Sequence, residues 1–241
     1  MILSYGPSSE QIIEVLPSRR AGSKGTAVLI HGGYWRPKFD LTLMHPLCED
    51  LVERGWAVAN VEYRRMGTGG GWPTTVNDIQ TAIGFVREHA SQIGVHGPLV
   101  GIGHSVGGQL ALLAAPGLDA VVALAPVTDV ARTEREGLGE NAAREFMGVD
   151  AMDAPGAYRA ASPVSQLPLR RPLLLVHGDV DVRVPVEHST DYYAAAIASG
   201  DVVTMRIVPG LSHLDAIRPE AAHWPAVVRW LNAVRCKPAD T

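Results

Sequence analysis

The chain has 241 residues, 46% of them hydrophobic, and a formal net charge of −4. That length is enough to bury a sizeable core within one α/β domain. The scattered, slightly acidic charge argues against nucleic acid as a partner, and no apolar run approaches the roughly 20 residues that cross a bilayer.

The opening residues, from Met1 to Pro7, show no basic stretch followed by an apolar one, so no signal peptide is expected. Cys48 and Cys236 stand in no metal or redox spacing, which predicts free thiols in a reducing, cytoplasmic setting. Residues 11–16 alternate apolar and polar side chains and end at Pro17, as an antiparallel edge strand does. A polar turn over 18–25 leads to Thr26-Ala27-Val28-Leu29-Ile30, an unbroken apolar run of the kind buried on both faces of a parallel sheet. It empties into His31-Gly32-Gly33-Tyr34-Trp35. Leu43, Leu47, Leu51 and Val52 then fall at helical spacing, and Gly55 stops that helix. Residues 57–61 predict the next buried strand, and 62–73 a loop holding Gly69-Gly70-Gly71. Val76, Ile79, Ile83 and Val86 predict an amphipathic helix capped by Thr74 or Thr75.

From Leu99 to Leu112 an apolar run meets a helix-forming run, with Gly103-His104-Ser105-Val106-Gly107 at the junction. Strand, tight turn and helix are the setting in which G-x-S-x-G forms a nucleophile elbow. Gly103 and Gly107 leave room for a strained turn where a Cβ would collide, and the turn would lift the Ser105 hydroxyl above the sheet. The plain alternative is an ordinary serine in a Gly-rich turn. A dinucleotide fingerprint starting at Gly101 fails, because Val106 stands at its third glycine place.

A strand is predicted over 120–125. Residues 128–168 hold one short helical pattern near 141–147 and no strand, which suits either a modest cap over a site or an ordinary connection. Residues 173–176 predict a strand that ends at His177-Gly178-Asp179, followed by a helix over 186–199, a strand over 202–208 and a last helix over 220–235. Alternating strands and helices predict a mostly parallel sheet with helices on both faces, in a single domain spanning 1–241. Ligands of such sheets sit beyond the carboxyl ends of the strands. His31-Gly32-Gly33, Ser105, Asp181 and His213 all follow such ends.

A serine hydroxyl attacks only when a base takes its proton, and that base needs a third group to hold its tautomer. His213, in the turn-rich loop between the last strand and the last helix, is the candidate base. Asp181 is the candidate acid, and the order Ser105, Asp181, His213 is the one this fold uses. Asp179 and Asp129 also follow strand ends and compete for that role; a turn-capping carboxylate suits Asp179 better. An oxyanion hole needs backbone N–H donors. Val106 supplies one directly after the serine, and the glycines Gly32 and Gly33 let the other segment approach. His31, His104 and His177 read as props for their loops. Tyr34, Trp35 and Trp72 either build an aromatic wall for a planar substrate or pack their loops to the body. Arg64-Arg65 either pairs with a substrate carboxylate or forms a structural ion pair. Without H-E-x-x-H or a metal-ligand spacing, neither metal nor cofactor is expected.

His31-Gly32-Gly33-Tyr34-Trp35, taken with Gly103-His104-Ser105-Val106-Gly107-Gly108, resembles the α/β-hydrolase fold across nearly the whole chain, with a minimal cap. Within that fold it resembles the esterase and arylformamidase branch. The H-G-G-Y-W form is similar to kynurenine formamidases, which cleave the formyl amide of N-formylkynurenine. The segments around Asp181 and His213 are also similar to prolyl-oligopeptidase-type catalytic domains. The resemblance implies Ser105 as nucleophile, Asp181 as acid and His213 as base. It also implies that amides at Gly33, Tyr34 and Val106 form the oxyanion hole, with Gly32 shaping the loop; Gly32, Tyr34 and Trp35 are the expected substrate contacts. The expected partner is a small ester or amide, and a homodimer is left open. An arylformamidase is the sharpest version. A carboxylesterase of other specificity, a small acyl-peptide hydrolase and a non-catalytic binder on the same scaffold are the alternatives.

Overall fold

The computed structural model describes residues 1–20, 22–94 and 96–235. Its strands are β1 (Ile2–Ser4), β2 (Ile12–Leu16), β3 (Thr26–Ile30), β4 (Ala57–Val61), β5 (Leu99–His104), β6 (Ala120–Leu124), β7 (Leu173–Gly178) and β8 (Val203–Val208). They form one sheet in the order β1-β2-β4-β3-β5-β6-β7-β8. Only β2 runs antiparallel to its neighbours, β1 and β4; every other pairing is parallel. The helices are α1 (His45–Glu53), α2 (Thr74–Glu88), α3 (Val106–Leu113), α4 (Val130–Arg135), α5 (Leu138–Met147), α6 (Pro155–Ala161), α7 (Glu187–Ala198) and α8 (Trp224–Leu231).

Strands β3 to β7 are buried along their full length, which is why they read as unbroken apolar runs rather than alternations. Successive side chains still go to opposite faces. Val28 and Ile30 join a cluster with Ile79 and Ile83 of α2, Leu110 of α3 and Tyr192 of α7. Ala27 and Leu29 join the other face with Leu47 and Leu51 of α1 and Trp224 and Leu231 of α8. Each buried Leu or Ile contributes about 1.5–3 kcal/mol, and a one-residue slip would exchange the two cores, so burial fixes the register.

Four local expectations change. β1 is not among the expected strands; three residues on the sheet edge carry no legible period. The Thr74 or Thr75 cap is not formed, since Pro73 occupies the N-cap of α2. The Thr75 hydroxyl instead accepts from the Gly71 amide (3.0 Å) and donates to Arg64 O (2.7 Å). α8 is shorter than 220–235: Asp215–Ile217 form a separate turn, and Pro225 sits in the first turn of the helix, where its missing N–H costs nothing. Residues 128–168 carry three helices, α4 to α6, rather than one. They fold down onto Trp35 and Val106 as a small helical cap with its own apolar cluster. Cys48 is buried in α1, and Cys236 lies outside the described residues. No helix among the described residues is long and apolar enough to cross a membrane.

Candidate active site

The chain passes from β5 to α3 through Ser105, at φ 57° and ψ −121°. L residues avoid this region at a cost of about 1–3 kcal/mol, and it persists only where the surroundings over-determine it. Here the Ser105 amide donates to Leu124 O (2.9 Å), and Ser105 O accepts from the amides of Gly108 (3.0 Å), Gln109 (3.3 Å) and Val127 (3.2 Å). The flanking glycines are steric necessities. A Cβ at Gly103 would stand 2.1 Å from Gly107 O, and one at Gly107 would stand 2.1 Å from Ile30 O.

The loops that carry Asp181 and His213 meet just past β7 and β8. A Cβ on Gly178 would lie 1.8 Å from Leu211 O, so only glycine lets the two segments touch. There His213 Nδ1–H donates to Asp181 Oδ2 at 2.6 Å, which leaves Nε2 as the acceptor nitrogen. His104 Nε2–H donates to His213 O (2.9 Å), and the two rings lie 4.5 Å apart. Because His104 immediately precedes Ser105, this bond brings the His213 loop beside the elbow. Ser105 and His213 are 2% and 6% exposed, yet no hydrogen bond joins Ser105 Oγ to the imidazole among the described residues. Such contacts are commonly loose until substrate binds.

Asp181 is held on every side. Its Oδ1 accepts from the amides of Arg183 (2.9 Å) and Val184 (3.0 Å), and its Oδ2 also lies 3.3 Å from His177 Nε2. Burial pushes this carboxyl up, but the hydrogen bonds from His177 and His213 outweigh it and hold Asp181 well below the usual carboxylate range. His104 is the opposite case. Burial, with the nearby His213 charge adding to it, pushes its ring down to about 3, so it stays neutral. Neither competing carboxylate touches His213. Asp179 caps a turn through the Gly210 amide (2.7 Å), and Asp129 caps α4 through the Arg132 amide (2.9 Å).

The loop after β3 approaches from the other side. A Cβ on Gly32 would lie 3.0 Å from Ser105 Cβ, and one on Gly33 (φ 116°) would lie 2.4 Å from Phe39 Cβ. Arg36 N donates to Gly33 O (3.0 Å) and closes a turn whose central residues, Tyr34 and Trp35, are both left-handed, at φ 56° and 55°. Each costs about 1–2 kcal/mol. The amides of Gly33, Tyr34 and Val106 have no acceptor among the described residues.

One expectation about substrate contacts is corrected, and one open choice is decided. Trp35, expected against the substrate, is turned into the body of the protein. It has no exposure, stacks on Phe146 (4.4 Å, 11°) and donates from Nε1 to Gln109 Oε1 (3.0 Å). Trp72 packs on the same cluster, leaving Tyr34 partly exposed and leaning on Gly139. Arg64 and Arg65 are structural: Arg64 forks onto Asp78 (2.9 and 2.6 Å), and Arg65 pairs with Glu10 (2.8 Å) and Glu62 (3.2 Å). His31 props its loop through Gly32 O (2.7 Å) and Glu62 (3.0 Å).

Sequence reading missed Gln109, which is fully buried. Its one signal is a polar side chain in an otherwise apolar helix. It also missed three exposed apolar residues beside the acid and base, Val180 (51%), Val182 (94%) and Leu214 (45%). No group of three His, Cys, Asp or Glu among the described residues is placed to hold a metal. A cleft of about 620 Å³ lies on the cap between Glu134, Met152 and Arg159, apart from Ser105 and His213.

The BD-FAE family profile matches residues 15–119, which carry the Gly32-Gly33 loop and the elbow and end before Asp181 and His213. The chain is 29% identical to the esterase LipQ of Mycobacterium tuberculosis over 82% of its own length, and 25% identical to the esterase LipC of the same organism over 95%. It spans 52% and 64% of the length of those two relatives. Among solved structures, a truncated carbohydrate esterase from gut microbiota superposes with a TM-score of 0.84 at 19% identity, covering 95% of this chain and 93% of that one. A thermophilic esterase from Thermogutta terrifontis gives 0.73 at 22% identity, covering 96% of this chain and 88% of that one. The chain has the α/β-hydrolase fold.

Proposed function

We propose that this chain is a serine hydrolase of small carboxylic esters, working through an acyl-enzyme. The observation that carries the reading is the 2.6 Å Asp181–His213 pair, tied to the elbow by His104, the residue before a strained serine. Ser105 Oγ attacks the ester carbonyl carbon while His213 Nε2 takes its proton, and Asp181 stabilises the imidazolium that forms. The carbonyl oxygen becomes an oxyanion facing the uncommitted amides of Gly33, Tyr34 and Val106. One such donor contributes about 2.7–4 kcal/mol to the transition state. The tetrahedral adduct collapses as His213 returns the proton to the departing alkoxide, and water then releases the acid by the same steps in reverse.

Esters are put ahead of formamides because the curated relatives are named esterases, and because burial of Trp35 removes one side of the aromatic wall expected for an aryl substrate. Hydrolysis of p-nitrophenyl acetate and butyrate beside N-formylkynurenine, with Ser105→Ala as control, tests the reading. Ester turnover that Ser105→Ala lowers by roughly 10³-fold or more is the expected result. Parent-level turnover in clean Ser105→Ala protein would overturn it. Formamide turnover above ester turnover would move the substrate class to aryl formamides while keeping the triad.

A further inference from the structure

Helix α3 follows Ser105 with apolar residues and glycine at seven of its eight positions, and the exception is Gln109. This side chain has no solvent exposure. A buried amide is costly unless both of its ends are satisfied, and here they are, by unlike partners. Oε1 accepts from Trp35 Nε1–H at 3.0 Å, and Nε2 donates to Ala161 O at 2.8 Å. One partner donates and the other accepts, so the amide has a single satisfied orientation. Trp35 is the second central residue of the strained turn from Gly33 to Arg36, and Ala161 ends α6 in the cap. One side chain, a single helical turn from Ser105, therefore fixes three segments against one another: the nucleophile helix, the turn and the cap.

Two left-handed L residues in succession relax unless something holds them. Trp35 is the anchor on the inner side, through its stacking on Phe146, its bond to Gln109 and its carbonyl, which accepts from the Met66 amide (2.9 Å). On the outer side Arg36 grips Glu145 (3.0 and 2.9 Å) and Glu140 O (3.1 Å). The turn offers the amides of Gly33 and Tyr34, whereas the helix offers that of Val106. Stabilisation of a developing oxyanion depends on donors placed in advance from both segments.

We infer that Gln109 is a positioning residue for the reaction: by holding Trp35 and Ala161 it sets the spacing between the Gly33 and Tyr34 amides and the Val106 amide. The inference rests on the proposed oxyanion hole. Gln109→Met keeps volume and loses both hydrogen bonds, and Trp35→Phe keeps a stacked ring and loses one. Each is assayed with p-nitrophenyl acetate, per active site titrated with a chromogenic phosphonate, alongside affinity for a trifluoromethyl ketone that captures serine as a tetrahedral oxyanion. The expected result is kcat per titrated site down roughly tenfold to a hundredfold with KM within about twofold. Ketone affinity should fall by a similar factor, and the double variant should be little worse than the worse single one. Should Gln109→Met fold poorly, Trp35→Phe decides the matter. Unchanged kcat per titrated site, or unchanged ketone affinity, overturns the inference. Ser105→Ala, run beside them, separates the two ideas. Lost turnover there with unchanged kcat in Trp35→Phe sinks the positioning role alone, while retained turnover sinks the triad on which it rests.

Discussion

Replacing His104 with glutamine should flatten the acid side of the stability curve. In the unfolded chain a histidine titrates near 6.5, whereas burial pushes His104 down to about 3 in the folded protein. Between those values the unfolded state binds one more proton than the native state, so stability rises with pH there and levels off above about 6.5. The slope is about 1.4 kcal/mol per pH unit for one group. From pH 7.5 to pH 4.5 the parent should therefore lose about 3 kcal/mol through this side chain alone. His188 and His223 are also lowered by burial and add to the acid loss, but they do so equally in the parent and the variant. Asp181 contributes nothing to the difference above about pH 4.5. Its carboxyl is depressed, so its stabilisation is complete above the unfolded value near 3.9 and is lost only below it. In His104→Gln the new side-chain amide would still offer an N–H to His213 O, the acceptor that His104 meets at 2.9 Å. Urea unfolding followed by tryptophan fluorescence at pH 7.5, 6.5, 5.5 and 4.5 measures the effect. The two proteins should diverge steadily below pH 6.5, with the variant favoured. Parallel curves down to pH 4.5 would show that His104 is not a buried neutral ring and refute the argument.

Other outcomes follow from the same geometry. Ser105→Gly should exceed Ser105→Ala in stability by about 1 kcal/mol, since only the alanine keeps a Cβ at φ 57°; equal melting temperatures would deny strain at the elbow. Asp181→Asn should lower kcat by roughly 10³–10⁴-fold, because the amide cannot hold the imidazole in its working tautomer. The same variant should flatten the loss of stability below about pH 4, and acid titrations that overlay the parent would contradict the depressed carboxyl. Gly178→Ala should cost activity beyond its cost in stability, because the new Cβ would stand 1.8 Å from Leu211 O and push the His213 loop away from Asp181. Parent-level kcat in folded Gly178→Ala protein would count against that coupling.

Much of this architecture is legible in the chain. Apolar runs that end in, or lead straight into, glycine or histidine mark β3, β5 and β7, because a strand buried on both faces leaves no room for polar alternation. The glycines around Ser105 are legible for the same steric reason. What the sequence hides depends on distant contacts. Trp35 looks like a substrate wall beside its sequence neighbours, but its partners Phe146 and Gln109 lie more than seventy positions away and turn its ring inward. For Arg64 and Arg65 the sequence leaves open a substrate carboxylate or a structural ion pair, and the fold decides it by bringing up Asp78 and Glu10 beside the neighbouring Glu62. The cap is legible only as a gap in the strand rhythm. Its α5 opens through Gly139, Glu140 and Asn141 in left-handed conformation, a run that no helical period reveals.

The loop after β7 places opposite demands on adjacent residues. Asp181 has a side chain only 1% exposed, while its neighbours Val180 and Val182 are 51% and 94% exposed. The Asp181 carboxylate is held by the amides of Arg183 and Val184 and by His213, not by either valine side chain, so substitution at 180 or 182 should leave those bonds in place. The two valines form a handle at the rim of the site. A combinatorial library at positions 180 and 182 would search for new surfaces on which the protein settles, such as a polymer bead or an oil droplet, with its chemistry held constant. Val182→Cys would give a tether for immobilisation at an exposed position that makes no bond to Asp181 or His213.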